Sequence, residues 1–206
     1  MTNSHVVESV AQLESLYGEP MPTALAKEID HISQGYRALI EAAPFVIIAT
    51  SGPDGLDCSP KGDMPGFVRI VDERTVMIPD RPGNNRLDGF NNLMTDPRIA
   101  LLFLIPGVGE TLRINGRGQV SVDPALRESF AVNGKPARAV LIVTIETIFF
   151  HCSKAIMRGK LWDAKAQIDR KSLPSTGTII AELTDGKLGG AQYDKDAPAR
   201  HKAMLY

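Results

Sequence analysis

The segment 57-DCSPKGDMPGFVRIVDERTVMIPDRPGNNR-86 decides the fold and holds the first functional signal. A short polar strand, about 56–60, ends in Ser59-Pro60-Lys61-Gly62-Asp63. Two strand-like runs follow, 66–71 and 74–79, and then Asp80-Arg81-Pro82-Gly83-Asn84-Asn85-Arg86 leads into a helix expected over 84–95. Strands that follow one another through short turns, with no regular strand–helix alternation, point to an antiparallel barrel rather than a doubly wound sheet. In the same segment Lys61, Arg81 and Arg86 supply cationic donors, while Asn84, Asn85 and the helix start supply neutral ones. Such a set suits a phosphate, which is held best by charge-assisted bonds and by amides at a helix start. A solvated loop ahead of a helix has the same composition, so spacing alone leaves both readings open.

Working outward, the pattern stays β-rich. Upstream, Val7, Val10, Leu13 and Tyr17 recur at helical spacing. Gly18-Glu19-Pro20 interrupts them, Ile32, Tyr36, Leu39 and Ile40 resume the period, and Pro44 stops it. The run 45–50, FVIIAT, is apolar and β-branched, and Ser51-Gly52-Pro53-Asp54-Gly55 closes it, which predicts a buried strand and a turn. Downstream, further strands are expected over 98–105, 111–122 and 139–150. Gly116 and Gly118 in the second of these signal a bulge or a close backbone approach. Asp123-Pro124 is a helix start, with Asp123 as cap and Pro124 in the first position. Helices are expected at 153–162, 164–171 and 176–187, followed by a polar tail, 191–206, that packs on the barrel or frays. The organisation read from this is a helical segment over 1–43, a barrel over 44–163 and a helical segment with tail over 164–206.

With 206 residues, 43% hydrophobic and 23% charged, the chain has the composition of an ordinary globular protein with a sizeable core. A net charge of −1 gives no basic field to attract nucleic acid or an anionic membrane. No apolar run approaches the ~20 residues of a membrane span, and the N-terminus lacks the order of a signal peptide. Cys58 and Cys152 form neither a CxxC nor a disulfide framework, so a cytoplasmic location is expected. There is no GxGxxG after a strand, no GxxxxGK[ST], no HExxH and no GxSxG. The histidines, His5, His31, His151 and His201, are scattered, and the adjacent pair His151-Cys152 would point to opposite faces of a strand. No metal site is expected.

Two further stretches hold polar chemistry. Residues 149–162, FFHCSKAIMRGKLW, put Lys154, Arg158 and the single tryptophan, Trp162, beyond the end of a buried strand. A flat aromatic flanked by cations suits a planar anionic cofactor; a core or interface anchor with surface cations is the other reading. In 112-LRINGRG-118, alternation sends Arg113, Asn115 and Arg117 to one face, which lines a pocket or faces solvent.

Taken together and in this order, TSxxxGxxxSPKGD, PDRxGNNR with helix and Asp-Pro, LLFLxPG, LRINGRG and FHCxKAxxRxxLW resemble a known family. It is that of the FMN-binding split-barrel proteins related to pyridoxamine 5′-phosphate oxidase, in particular a bacterial subgroup of FMN-dependent proteins. The similarity runs from about Pro44 to Asp163. It implies a mainly β fold with flanking helices: a six-stranded antiparallel split barrel, forming a homodimer with FMN sites at the subunit interface. By the same resemblance, Ser59, Pro60, Lys61, Gly62 and Asp63 meet the flavin and its phosphate, and Arg81, Asn84, Asn85 and Arg86 grip the phosphate. Pro79 and Asp80 lie along the ring or ribityl chain, and the partner completes the site through Asn115, Lys154, Arg158 and Trp162. The implied activity is hydride transfer between FMN and a small organic substrate, and it requires no acid–base dyad from the protein. For Asp63 itself, contact with the ring or substrate and a turn-capping role are both open. True vitamin B6 oxidases end in an Arg-Leu-His-x-Arg type segment that helps hold the substrate. Here Gly159-Lys160-Leu161-Trp162-Asp163 stands in the comparable place, so the substrate stays open. Other readings are a flavin carrier, a barrel binding haem or another planar ligand without turnover, and a deazaflavin-dependent reductase sharing the barrel.

Overall fold

Runs of β-branched and aromatic residues, joined by turns and two short helices, fold into one antiparallel sheet in the computed structural model, which describes residues 5–206. The strands are β1 (Phe45–Gly52), β2 (Gly55–Gly62), β3 (Arg69–Ile70), β4 (Thr75–Asp80), β5 (Arg98–Leu104), β6 (Thr111–Ser121) and β7 (Ala139–His151), in the order β2-β1-β5-β6-β7-β4-β3. There are thus seven strands and not six. The extra one is β3, where the expected strand 66–71 shrinks to two residues paired with Met77 and Val76 at the sheet's edge.

Alternation along β1 and β5 buries Val46, Ile48, Ile99, Leu101 and Phe103, and β6 and β7 add Leu112, Ile114, Val143, Ile145 and Ile148. Each such side chain stabilises the fold by roughly 1.5–3 kcal/mol relative to exposure. The central pair, β6 with β7, is the longest, at 11 and 13 residues. Its register slips between Asn115 and Gly116, and a Cβ on Gly116 would lie 2.0 Å from the Thr144 carbonyl oxygen. The expectation of a bulge or close approach at this glycine is met by both.

Helices cover the sheet. The N-terminal pattern resolves into α1 (Val10–Tyr17), α2 (Pro22–Ala26) and α3 (Gln34–Ala42). Only α3 reaches the core, through Tyr36 and Ile40, while α1 buries nothing. Between β4 and β5, α4 (Asp88–Thr95) packs Leu93 and the buried Asn92 on the sheet, Asn92 donating to Thr50 Oγ1 and the Gly55 carbonyl, each at 3.2 Å. The short α5 (Pro124–Ser129) starts as expected, Asp123 accepting the Leu126 N–H at 2.7 Å.

The last third departs further from expectation. The helix at 153–162 is shorter, α6 (Lys154–Gly159). The segment 164–171 holds two 3-10 turns, Ala164–Ala166 and Arg170–Ser172, each capped by the preceding Asp163 or Asp169. Next comes α7 (Thr176–Leu183), and the supposed tail forms α8 (Gly190–Ala203), despite Pro198 within it. Asp194 of α8 accepts from the Gly177 N–H and the Ser175 hydroxyl at 2.7 and 2.5 Å, fastening α8 to the start of α7.

Because its backbone neighbour leaves no room for a methyl group, Gly116→Ala should lower stability by about 1–3 kcal/mol in urea unfolding. Gly159→Ala, which meets nothing within 4 Å, should stay within about 0.5 kcal/mol of the parent.

Candidate functional site

β2 and β4 stand near opposite ends of the strand order and share no backbone pairing, yet the curl of the sheet brings their ends together. Side chains bridge the gap. Lys61, on β2, is ion-paired with Asp80, the last residue of β4. Asp63, just past β2, accepts from Arg81 Nε, just past β4, at 3.0 Å. Arg81 Nη1 also donates to the Phe130 carbonyl at 2.7 Å, and the Lys61 ammonium lies 5.5 Å from the Phe90 ring centre. Two crossed ion pairs therefore span the split of the barrel. Above this seam opens a cleft of about 940 Å³ with apolar wall from Ile48, Phe67, Phe90 and Leu141.

Ten of the residues singled out from sequence line this cleft: Ser59, Pro60, Lys61, Gly62, Asp63, Pro79, Asp80, Arg81, Asn84 and Arg86. Asn85 does not. It adopts a left-handed conformation (φ 61°) and its side-chain oxygen accepts from Arg138. Asn84 accepts the Arg86 N–H at 3.0 Å, an Asx turn that keeps the chain out of helix, so α4 begins at Asp88 and not at 84. Leu87 at the cap position provides no side-chain acceptor. Arg86 is 75% exposed and rests on Asp88, with Nε and Nη2 at 2.8 and 2.6 Å from the same carboxylate oxygen.

The other predicted residues lie away from the cleft of their own chain. Asn115 borders a separate groove of about 380 Å³ with Arg98 and Glu146; it accepts from Arg113 Nε at 3.1 Å and donates to Thr147 Oγ1 at 3.3 Å. Trp162 Nε1 donates to the Val108 carbonyl at 2.7 Å, and Lys154 and Arg158 project from α6 into solvent.

Sequence reasoning missed the wall contributed by α8 and the residues after it: Tyr193, Arg200, His201, Met204, Leu205 and Tyr206. The Tyr206 phenol donates to Asp63 Oδ1 at 2.8 Å, and Lys135 Nζ donates to the Tyr206 carbonyl oxygen at 2.7 Å. Asp63, whose side chain is 6% exposed, thus gathers Arg81, the Met64 N–H and Tyr206. Burial would raise its pKa, but these three donors together hold it below the ordinary carboxylate value. Tyr206 moves up, chiefly because its hydroxyl is bonded to that carboxylate. Asp63 thus caps the adjacent Met64 N–H and also lines the cleft. The one signal for the α8 contact was an aromatic and aliphatic cluster, Met204-Leu205-Tyr206, closing an otherwise polar stretch.

The family profile described as pyridoxamine 5′-phosphate oxidase matches residues 32–152. The chain belongs to that family. The match spans β1 to β7 and ends before α6, so the C-terminal wall of the cleft lies outside the shared region. Solved structures similar to this family member include HupZ from Group A Streptococcus, with 20% identity over 59% of this chain and 95% of that one and a TM-score of 0.49. Another is a protein related to general stress protein 26 (pyridoxinephosphate oxidase family) from Clostridium acetobutylicum, with 17% identity, 57% and 86% coverage and a TM-score of 0.45. An F420 reductase matches with 18% identity, 58% and 98% coverage and a TM-score of 0.42. No curated protein matches the chain. No helix among the described residues is long and apolar enough to cross a membrane, and none of their His, Cys, Asp or Glu side chains gather in threes as metal ligands.

The Tyr206–Asp63 contact has a defined pH window. Asp63 is depressed, so its contribution is present above its unfolded pKa and lost as pH falls through the folded one. Tyr206 is raised, so its contribution is complete below its unfolded pKa and lost as pH rises through the folded value. Tyr206→Phe should therefore lower the thermal midpoint by ~2–4 °C at neutral pH, with the difference shrinking below about pH 4 and above about pH 10. Asp63→Asn should cost more, about 3 kcal/mol, because it also leaves the Arg81 guanidinium without its carboxylate.

Proposed function

We propose that the cleft is an FMN site and that the protein is an FMN-dependent oxidoreductase, acting as a homodimer on a small organic substrate. The observation that carries this reading is the cleft itself: in a chain of this family, an apolar wall faces a seam of paired charges, with Arg86 at its rim, in a space of about 940 Å³. That volume lies in the range of cofactor pockets. Bound FMN would supply the hydride acceptor and donor; the protein's part is to hold the phosphate, cover the ring and shape access.

The chain's own residues divide this work. Arg86 is the exposed cation: its side chain is paired only with Asp88, and its remaining N–H donors are available to a phosphate. Arg81, 17% exposed and fixed by Asp63 and Phe130, keeps Nη2 for a ligand while its Nε and Nη1 hold the seam. Lys61 sits between Asp80 and the Phe90 ring, which places a positive charge on the cleft floor without leaving it unpaired. Pro60 and Pro79 contribute surface without N–H donors. The first turn of α4, lacking a side-chain cap, offers backbone donors near the same end. Asn115, Lys154, Arg158 and Trp162 face away from this cleft, which suits a role in the partner's site across a dimer interface. In this reading the barrel over 44–163 is the cofactor-binding unit, with helical segments at either end, working in the cytoplasm.

The test is the visible spectrum of the purified protein, followed by FMN and riboflavin titration of the apoprotein. Flavin released as FMN, near-stoichiometric with the chain, is the expected result; a colourless protein with no saturable FMN binding would overturn the reading. Arg86→Ala should weaken FMN by about 1.5–3 kcal/mol and leave riboflavin nearly unchanged. Reduction of the bound flavin by NADH or NADPH, with reoxidation by an acceptor, separates an enzyme from a carrier. Competition by the deazaflavin cofactor separates the reductases that use it.

A further inference from the structure

Four cationic side chains line the cleft: Lys61, Arg81, Arg86 and Arg200. Three of them already have carboxylates, in the pairs Lys61–Asp80, Arg81–Asp63 and Arg86–Asp88. The fourth lining carboxylate, Asp57, accepts from the Ser59 hydroxyl at 2.9 Å and lies against Gly89 of α4. Arg200 stands apart. Among the described residues its guanidinium makes no hydrogen bond or ion pair, and its Nη2 is buried without any partner. It lies over the Tyr193 ring, whose centre is 4.1 Å from Cζ.

A buried charged donor without an acceptor costs more than a neutral one. A cation in the last turn of α8 gains something from the helix dipole, but that does not supply an acceptor to Nη2. Stacking on an aromatic face fixes the guanidinium plane and leaves its edge free for a planar or tetrahedral anion, the geometry in which arginine binds carboxylate and phosphate. Two anchors hold α8 where this can happen: Asp194 on the start of α7, and Tyr206 on Asp63.

We infer that Arg200 is an anion-binding residue of the cleft, so that the C-terminal helix completes the ligand site from within the same chain. The inference rests on the reading of this cleft as the ligand site. The group it takes is a phosphate or a carboxylate, carried either by the flavin or by an anionic substrate.

The experiment uses full-length apoprotein, as wild type, Arg200→Gln and Arg200→Lys. Thermal midpoints are followed against inorganic phosphate, and FMN and riboflavin are titrated by fluorescence. Phosphate should stabilise the wild type saturably, Arg200→Gln should weaken that effect at least ~10-fold, and Arg200→Lys should keep part of it. If FMN affinity falls in parallel while riboflavin affinity holds, the anion is the flavin phosphate. If FMN affinity is unchanged and phosphate still protects the FMN-loaded protein through Arg200, the anion belongs to the substrate. Equal losses for FMN and riboflavin would show that Arg200 only docks α8 and would overturn the inference. So would identical responses of wild type and Arg200→Gln to phosphate and to FMN, a result that leaves FMN binding itself standing. Arg200-dependent phosphate binding in a protein that ignores FMN would do the reverse, removing the flavin and keeping the anion site. Should Arg200→Gln fail to fold, Arg200→Lys decides: its planar fork is gone, so an unchanged phosphate response overturns the inference.

Discussion

The crossed ion pairs Lys61–Asp80 and Asp63–Arg81 set the geometry of everything above them. Backbone pairing runs from β2 through β1, β5, β6 and β7 to β4 and the two-residue β3, and no ladder joins β4 to β2. Were the remaining gap closed by a ladder, the barrel would have no mouth there. Side-chain pairs close it instead, and they tolerate an opening where amide bonds would not. Partly buried pairs of this sort add little net stability compared with apolar packing, since desolvation offsets much of the attraction. Their effect is on position: four charged groups at fixed separation, at the base of a cleft.

Midway between the two ends of the sheet lie its longest strands, β6 and β7, and the slip at Asn115/Gly116 adds local twist there. Gly116 is required at that point because Thr144 passes too close for any Cβ. Asp63 then joins this framework to a second layer, since the carboxylate that holds Arg81 also receives Tyr206. Barrel and C-terminal helix thereby share one acceptor, and whatever disturbs Asp63 disturbs both.

Much of this was legible in the residues. β-branched runs and short turns gave the antiparallel class, Asp123-Pro124 gave the start of α5, and the SPKGD and PDRPGNNR segments do border one cleft. The failures have physical causes. Asn84-Asn85 has the composition of a helix start, but Asn84 forms an Asx turn and Asn85 takes a left-handed conformation, so the helix waits until Asp88. Asn92, which no motif singles out, is buried where it donates to Thr50 Oγ1 and the Gly55 carbonyl across the β1–β2 turn. The contact from Tyr206 to Asp63 spans 143 residues, and no local period encodes it. α8 is polar along its length and contains Pro198, and both features argue for a tail when neighbours are unknown.

Seam and C-terminal wall together explain why the cationic residues divide as they do. Sequence proximity groups Lys61, Arg81 and Arg86 as one phosphate-binding set, but folding commits Lys61 and Arg81 to carboxylates that hold the barrel shut. With Asp57, Asp63, Asp80 and Asp88 set against Lys61, Arg81 and Arg86, this part of the cleft has no net positive charge to attract a dianion. Beyond the Nη2 edge of Arg81, charge that can still respond to a ligand must come from outside the seam. Arg86 qualifies through exposure, since its pair with Asp88 lies in water and is weak. Arg200 qualifies through burial without a partner, where the same interaction is stronger because less water screens it. A segment expected from its sequence to pack on the barrel as a tail or to fray thus supplies the positive charge that pairing across the seam removed from the cleft floor.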